Sequence, residues 1–185
     1  MRIVAGRLRS RKIQAVSGDS TRPTGDKIKG AIYSRLGPYF TGGIMLDLFG
    51  GSGNMGLEAL SRGFDEVYFC DCDPKAITTI KANAQDLKVA AQCHIMKKDY
   101  RQMLREMSDQ KIHFDLIYLD PPYRKQRIDE ILQYIAAHQL LKPQGDIVCE
   151  SGKEESFLDR YEDIVKRKEV TYGITKITYY TRSKL

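Results

Sequence analysis

Five short apolar runs alternate with helical patterns through the middle of this chain. Strands that alternate with helices build a parallel sheet, because each connecting helix crosses one face of the sheet and covers it. We therefore predict a doubly wound, mostly parallel α/β sheet, with the ligand site at the carboxyl ends of its strands. The predicted strands are Ile44–Phe49, Val67–Cys70, Cys93–Met96, Phe114–Leu119 and Ile147–Cys149, and the predicted helices between them are Met55–Arg62, Lys75–Leu87, Tyr100–Met107 and Ile128–Gln139.

The end of the chain departs from this alternation. Ile164–Val170 and Ile174–Thr181 flank Tyr172-Gly173, a pair typical of a tight turn, and so predict an antiparallel hairpin. The length of 185 residues, of which 42% are apolar, suits a single domain. No stretch approaches the roughly 20 apolar residues that cross a bilayer, and the N-terminus lacks the apolar core of a signal peptide. We therefore expect a soluble, cytoplasmic protein.

The first 29 residues carry the whole formal net charge of +6, because they contain eight basic and only two acidic side chains. A basic arm on a neutral body is expected to meet a polyanion, although a merely solvated terminus would have the same charge. Ile3, Leu8, Ile13 and Val16 recur among the arginines as in a short, half-buried hairpin. Such a hairpin would hold the basic side chains in fixed places.

A helix is predicted to follow the arm. Arg22-Pro23-Thr24 ends the arm, since a proline disfavours helical backbone in the residue before it. Thr24 is a suitable N-cap for a helix over Asp26–Leu36. We divide the single domain into an N-terminal extension, residues 1–40, and a body, residues 41–185.

The cysteines and histidines predict neither a metal site nor a disulfide framework. The four cysteines form no C-x-x-C pair, and the three histidines lie far apart in the sequence. Cys70 and Cys72 lie two residues apart in an apolar run, so on a strand they would share one face as small, reduced core side chains.

A glycine-rich segment, LDLFGGSGNMG at residues 46–56, follows the first predicted strand and opens a helix. Gly51, Gly53 and Gly56 match the G-x-G-x-x-G pattern, and Asp71 ends the next strand, where a ribose-binding acid belongs. Glycines are needed there because the backbone turns tightly and approaches a ligand closely. The pattern serves NAD and S-adenosylmethionine (SAM) alike, but an acid at Asp47 favours SAM, whose amino-acid end carries a positive charge.

A second motif, Asp120-Pro121-Pro122-Tyr123, ends the fourth predicted strand. Prolines fix φ and donate no hydrogen bond, so the Asp120 carboxylate and the adjacent carbonyls form a rigid set of acceptors. Acceptors without donors suit the exocyclic NH₂ of a nucleobase, against which Tyr123 would stack. A strand-ending turn is the alternative, since D-P-P is also good turn chemistry.

These motifs together resemble the RsmD family of bacterial methyltransferases. The resemblance lies in the arm, the helix after it, LDLFGGSGNMGLEALSRG at residues 46–63 and DPPY at residues 120–123. It implies a Rossmann-like SAM-dependent methyltransferase fold and methylation of the N2 amine of one guanine in 16S ribosomal RNA. We expect the assembled 30S particle of the small ribosomal subunit as substrate, because so small a body must take its specificity from the shape of its substrate.

The resemblance also implies roles for individual residues and a reaction that needs no metal. We expect the protein to be a monomer. Asp47 and the glycine loop would hold the amino-acid half of SAM, Asp71 the ribose hydroxyls and Asp99 the adenine amine. The whole cofactor site would consist of Asp47, Phe49, Gly50, Gly51, Ser52, Gly53, Asp71, Cys72, Asp99 and Tyr100. The catalytic set would be Asp120, Pro121, Pro122 and Tyr123, and the RNA-binding residues would be Arg2, Arg7, Arg9, Arg11, Lys12, Arg22 and Thr24.

Three other functions share parts of this pattern. An adenine-N6 DNA methyltransferase would use the same amine chemistry, but the roughly 40 residues before the body are too few for a separate target-recognition domain. A methyltransferase for a glutamine amide in a protein would also use an acceptor-rich Pro-Pro-Tyr turn. A non-catalytic RNA-binding assembly factor would need the arm but not an intact Asp120.

Overall fold

The computed structural model describes residues 1–18, 24–122 and 127–184, which belong to two compact units, Met1–Tyr100 and Arg101–Leu185. No helix within these ranges is long and apolar enough to cross a membrane. The first unit contains α1 (Asp26–Leu36), β1 (Ile44–Asp47), α2 (Asn54–Ser61), β2 (Glu66–Asp71), α3 (Pro74–Asp86) and β3 (Cys93–Lys97). The second contains α4 (Tyr100–Asp109), which begins at the boundary, and β4 (Phe114–Leu119), α5 (Ile128–Ala137), β5 (Leu141–Gly152), β6 (Arg160–Tyr161), β7 (Ile164–Tyr172) and β8 (Thr175–Arg182).

The first unit is built on a parallel sheet in which β2 lies between β1 and β3. Every residue of α2 is buried, so this helix has no solvent face of its own. Gly56 permits its close approach to the sheet, because a Cβ at this position would lie 2.3 Å from Cε1 of Phe69 on β2. The third glycine of the G-x-G-x-x-G pattern is therefore required by helix–sheet packing.

The second unit joins parallel pairing to antiparallel pairing. β4 and β5 are parallel, whereas β5 pairs antiparallel with β8, β8 with β7, and β7 with β6. The turn between β7 and β8 contains Gly173, whose φ of +61° suits glycine. The mostly parallel α/β fold class and its C-terminal antiparallel hairpin are thus confirmed.

Strand β5 is much longer than the predicted Ile147–Cys149. It begins at Leu141 and includes a Pro-Gln-Gly sequence that is more usual in turns. Phe114 pairs with Leu141 but Leu116 pairs with Asp146, so extra residues of β5 bulge out of the ladder. A bulge tolerates proline and glycine inside a strand, which is why these residues concealed the first half of β5.

The remaining predicted helices and strands agree with the structure to within two residues at each end. Strand β6 was not predicted, because two residues are too few to produce a periodic pattern. The prediction of Thr24 as the N-cap of α1 is wrong. Gly25 occupies the N-cap and makes no side-chain cap hydrogen bond, while the carbonyl of Thr24 accepts a hydrogen bond from Asn54 Nδ2 at 3.1 Å. That bond holds Thr24 one position ahead of the cap.

The two neighbouring cysteines do not share a buried face as predicted. Cys70 is buried and its Sγ donates to the carbonyl of Lys98, but Cys72 is exposed. The reason is that β2 ends at Asp71, so Cys72 lies beyond the last strand residue and the alternation of the strand no longer applies.

The basic arm is ordered and packs on the first unit. One antiparallel bridge joins Arg2 to Lys12, so the arm is a looser structure than a regular two-stranded hairpin. The predicted apolar side chains are buried at Ile3, Leu8 and Ile13, and Val16 is half-buried. The arm therefore has an apolar inner side that contributes to the core.

A buried ionic network fastens the arm and α1 to α2. The carboxylate of Glu58 on α2 is fully buried and accepts hydrogen bonds from the backbone N–H groups of Val4 and Ala5 at 2.9 Å and 3.1 Å. Two cations complete its surroundings: Arg62 Nε lies 2.9 Å and Lys29 Nζ 3.1 Å from its oxygens. Burial lowers the pKa of Lys29, and the neighbouring Glu58 carboxylate opposes that shift.

We expect Glu58→Ala to lower the free energy of unfolding by about 3 to 5 kcal/mol, because it leaves Arg62 buried without its counter-charge and Lys29 with the more distant Asp26 at 3.9 Å. Urea unfolding measures this loss. The control is Glu66→Ala, which removes the contact of the Glu66 carboxylate, 44% exposed, with the ring of His94, 39% exposed. That change should cost less than about 1 kcal/mol. Equal losses in the two variants would contradict the assigned role of the network.

Candidate active site

The glycine loop leaves β1 after Asp47 and enters α2 at Asn54. Two backbone hydrogen bonds of 2.8 Å shape it: the Gly50 N–H donates to the carbonyl of Cys70, and the Gly53 N–H donates to that of Gly50. Gly51 and Gly53 have φ values of +56° and +84°, which residues other than glycine rarely adopt. The result is a tight turn fastened to the carboxyl end of β2.

Asp71, at the end of β2, is bonded directly to this loop. Its Oδ2 accepts a hydrogen bond from the Gly51 N–H, and its Oδ1 accepts one from the Asp73 N–H, both at 2.9 Å. A carboxylate offers about four acceptor sites, so each oxygen retains capacity for a further donor. Asp71 therefore orders the loop and still has acceptors for a ligand.

Asp47 is the buried acid of the site, with only 1% of its surface exposed. Its Oδ2 accepts a hydrogen bond from the Gly56 N–H at 3.3 Å, whereas its Oδ1 has no hydrogen-bond partner among the residues described. Burial raises the pKa of Asp47 to about 7; the nearby Asp71 charge acts in the same direction, and the Gly56 hydrogen bond opposes it. A buried carboxylate oxygen without a donor is costly, and a cationic ligand would relieve that cost.

The other predicted cofactor residues adjoin this cluster. The Lys98 N–H, directly before Asp99, donates to the carbonyl of Asp71 at 3.1 Å, which ties the ends of β2 and β3 together. The rings of Phe49 and Tyr100 pack with centroids 5.5 Å apart. Asp99 is exposed, as is Cys72. The structure thus gathers the predicted cofactor residues at the carboxyl ends of β1, β2 and β3.

The second motif follows β4 in the second unit. Asp120 is half-buried, Pro121 is buried and Pro122 is exposed, while Tyr123 lies outside the described residues. Tyr118, two residues before Asp120, donates a hydrogen bond to the buried carboxylate of Glu150 on β5. The sequence motif did not predict this pair.

Five basic side chains of the arm are exposed on the first unit: Arg2, Arg7, Arg9, Arg11 and Lys12. Two of them also contact the body, because Arg7 Nη2 donates to Gln92 Oε1 at 2.9 Å and Arg11 Nη2 donates to the Asp86 carbonyl at 2.6 Å. Thr24, which is also predicted to bind RNA, is only 7% exposed. Arg22 lies outside the described residues.

The sequence motifs also missed Asn83 on α3, which is 1% exposed and contacts both the arm and the glycine loop. A signal for it exists in the sequence. Asn83 lies on the buried stripe of α3 that includes Ala76 and Ile80, where a polar residue requires hydrogen-bond partners.

We expect Asp47→Asn to change the pH dependence of stability. The pKa of Asp47 lies above its unfolded value, so the wild type loses stability as pH rises from about 4 to 7. The free energy of unfolding of the variant, relative to the wild type, should therefore increase by about 2 kcal/mol between pH 5 and pH 8. Urea unfolding at the two pH values measures it. A difference that does not vary with pH would show that Asp47 has no raised pKa.

Residues 1–181 match a family model described as "Conserved hypothetical protein 95". Two relatives are similar along nearly the whole chain. The Bacillus subtilis protein named "Putative rRNA methyltransferase YlbH" is 40% identical over 182 residues, which are 98% of this chain and 99% of that protein. The Haemophilus influenzae protein named "Ribosomal RNA small subunit methyltransferase D" is 33% identical over 97% of this chain and 93% of its own length.

Solved structures agree with this relationship. The structure of a Haemophilus influenzae protein described as "putative methylase HI0767" is 29% identical, with a TM-score of 0.82, and covers 100% of this chain and 99% of its own. An RNA methyltransferase from Salinibacter ruber, solved in complex with S-adenosyl-L-homocysteine (SAH), has a TM-score of 0.63 and 15% identity over 89% of this chain and 95% of its own, which shows the fold alone. The predicted fold type, that of SAM-dependent methyltransferases, is confirmed. The chain belongs to the RsmD/YlbH family of methyltransferases.

Proposed function

We propose that this methyltransferase transfers a methyl group from SAM to the exocyclic N2 amine of a guanine in 16S ribosomal RNA, within the small ribosomal subunit. The observation that most supports SAM as the cofactor is the buried Asp47 carboxylate beside the glycine loop. The assignment of the substrate is based on the ordered basic arm and on the names of the relatives at 40% and 33% identity, both of which mention ribosomal RNA.

The residues of the first unit fit SAM. The unpartnered Oδ1 of Asp47 suits the cationic amino group of its amino-acid half, in an environment where burial strengthens the attraction. Gly51 leaves backbone that a ligand can approach closely, because no heavy atom of the described residues lies within 4 Å of the position that a Cβ would take. Asp71 would accept hydrogen bonds from the ribose hydroxyls and Asp99 one from the adenine amine. When bound, SAM supplies a sulfonium methyl group that an amine lone pair can attack.

The acceptor residues come from the second motif. Pro121 and Pro122 have no N–H to offer, so they present acceptors alone to a guanine amine. Asp120 accepts a hydrogen bond from that amine, orients its lone pair and takes up the proton that the methylated nitrogen loses. Tyr123 would supply a stacking face for the base, worth roughly 1 to 3 kcal/mol. Positioning of this kind, with no metal, supplies most of the rate.

Label transfer tests the substrate class. Methyl-labelled SAM is incubated with the protein and separate pools of DNA, protein, naked ribosomal RNA and small ribosomal subunits from cells that lack the enzyme. We expect label in the RNA of the small subunits, in N2-methylguanine. Label in DNA or in protein would overturn the proposal.

Two variants separate the cofactor residues from the acceptor residues. Asp120→Ala should lose most label transfer in a single turnover and keep its affinity for SAM. Asp71→Ala removes an acceptor for the ribose and a hydrogen bond to the Gly51 N–H, so calorimetry should show SAM binding at least about tenfold weaker. A normal single-turnover rate in Asp120→Ala would refute the acceptor role.

The arm is expected to bind RNA phosphates. Replacing Arg7, Arg9 and Arg11 with Gln should weaken binding to small subunits and flatten its salt dependence, by somewhat less than about one unit of log–log slope for each phosphate that the variant no longer binds. SAM affinity should not change. The matched control replaces three exposed basic residues of the second unit, Arg160, Arg167 and Lys168. The prediction fails if the arm variant and the control bind alike.

A further inference from the structure

The side-chain amide of Asn83 connects the basic arm to the glycine loop. Its Oδ1 accepts a hydrogen bond from the Gln14 N–H at 2.9 Å, and its Nδ2 donates to the Gln14 carbonyl at 3.0 Å. The same Nδ2 donates to the carbonyl of Ser52, inside the loop, at 2.9 Å. One rigid, buried amide group therefore bonds to the backbone of the arm and to the backbone of the loop.

A second connection lies two residues further along, where the loop enters α2. Lys29 Nζ donates to the carbonyl of Arg2 in the arm and to Oδ1 of Asn54, each at 2.6 Å. Asn54 is the first residue of α2 and directly follows Gly53. The arm is thus tied to the end of the loop that enters α2 at two points, at Ser52 through Asn83 and at Asn54 through Lys29.

We infer that Asn83 is a positioning residue through which docking of the basic arm sets the affinity of the glycine loop for the cofactor. The arm then has two roles: its exposed arginines face the substrate, and its backbone at Gln14 helps to hold Ser52 in place for the cofactor. The inference rests on the proposed cofactor but not on the identity of the methylated nucleic acid.

Linkage makes this coupling reciprocal. If a docked arm strengthens cofactor binding, then bound cofactor stabilises the docked arm by the same factor. A substrate that binds the docked arm would therefore also favour cofactor binding. A purely local role for Asn83 in the packing of α3 predicts no such effect between the arm and the loop.

Calorimetric titration with SAH tests the inference with variants of Asn83 and of Gln14, the arm residue to which Asn83 bonds. Asn83→Ala removes all three hydrogen bonds of the amide. Gln14→Pro removes the backbone N–H that donates to Asn83 Oδ1, together with the Gln14 side chain and its hydrogen bond to Asp86. Each should weaken SAH binding by roughly three- to tenfold. Because both act through one group, the double variant should bind SAH no more weakly than Asn83→Ala alone. The matched control, Gln14→Ala, loses only a side-chain hydrogen bond to Asp86 and should bind SAH like the wild type.

Hydrogen exchange supplies a readout that does not depend on any variant folding. In the wild type, SAH should slow exchange of the arm amides of Ile3 and Gln14, which donate to Arg11 and Asn83. Unchanged exchange there, together with normal SAH binding by Gln14→Pro, would overturn the inference and leave the proposed function intact. A wild type that does not bind SAH would overturn both.

Discussion

The carboxylate of Glu58 is the group on which the first unit depends. It is fully buried, and an ionised group taken out of water destabilises the fold by several kcal/mol unless donors surround it. Its donors come from the arm backbone at Val4 and Ala5, from Lys29 on α1 and from Arg62 on its own helix. Docking of the arm is therefore a condition for a stable α2. Since α2 begins where the glycine loop ends, the ionic network also helps to fix the position of that loop.

Asp47 is a second buried carboxyl group of the first unit, and it lies at the candidate site. Its carboxylate is held in an apolar surrounding with one oxygen unpartnered among the described residues, so it opposes folding at neutral pH in the free protein. The same burial makes it a strong partner for a cationic ligand, because water does not screen the interaction. Gly56 contributes here twice, by bringing α2 close to Phe69 and by donating its N–H to Asp47.

Local patterns predicted most of the fold and part of the candidate site. Periodicity located the helices and the terminal hairpin, and the spacing of Gly51, Gly53 and Asp71 predicted a cluster that the structure forms through one hydrogen bond. The failures have physical causes. A bulge made β5 resemble a turn, and the bond from Asn54 displaced Thr24 from the cap. Hydrogen bonds that join residues 50 to 70 positions apart, such as those of Glu58 and Asn83, leave no local period to detect.

The inner and outer sides of the arm consist of different kinds of groups. Its attachment uses buried Ile3, Leu8 and Ile13 together with backbone groups, none of which carries charge. Its arginine side chains remain at the surface, where Arg7 Nη2 and Arg11 Nη2 each donate a hydrogen bond to the body. Surface charge can therefore change without undocking the arm, whereas a change on the inner side reaches the glycine loop through Asn83 and Lys29. The proposed attraction of the substrate and the inferred organisation of the cofactor site therefore depend on different groups of one short segment.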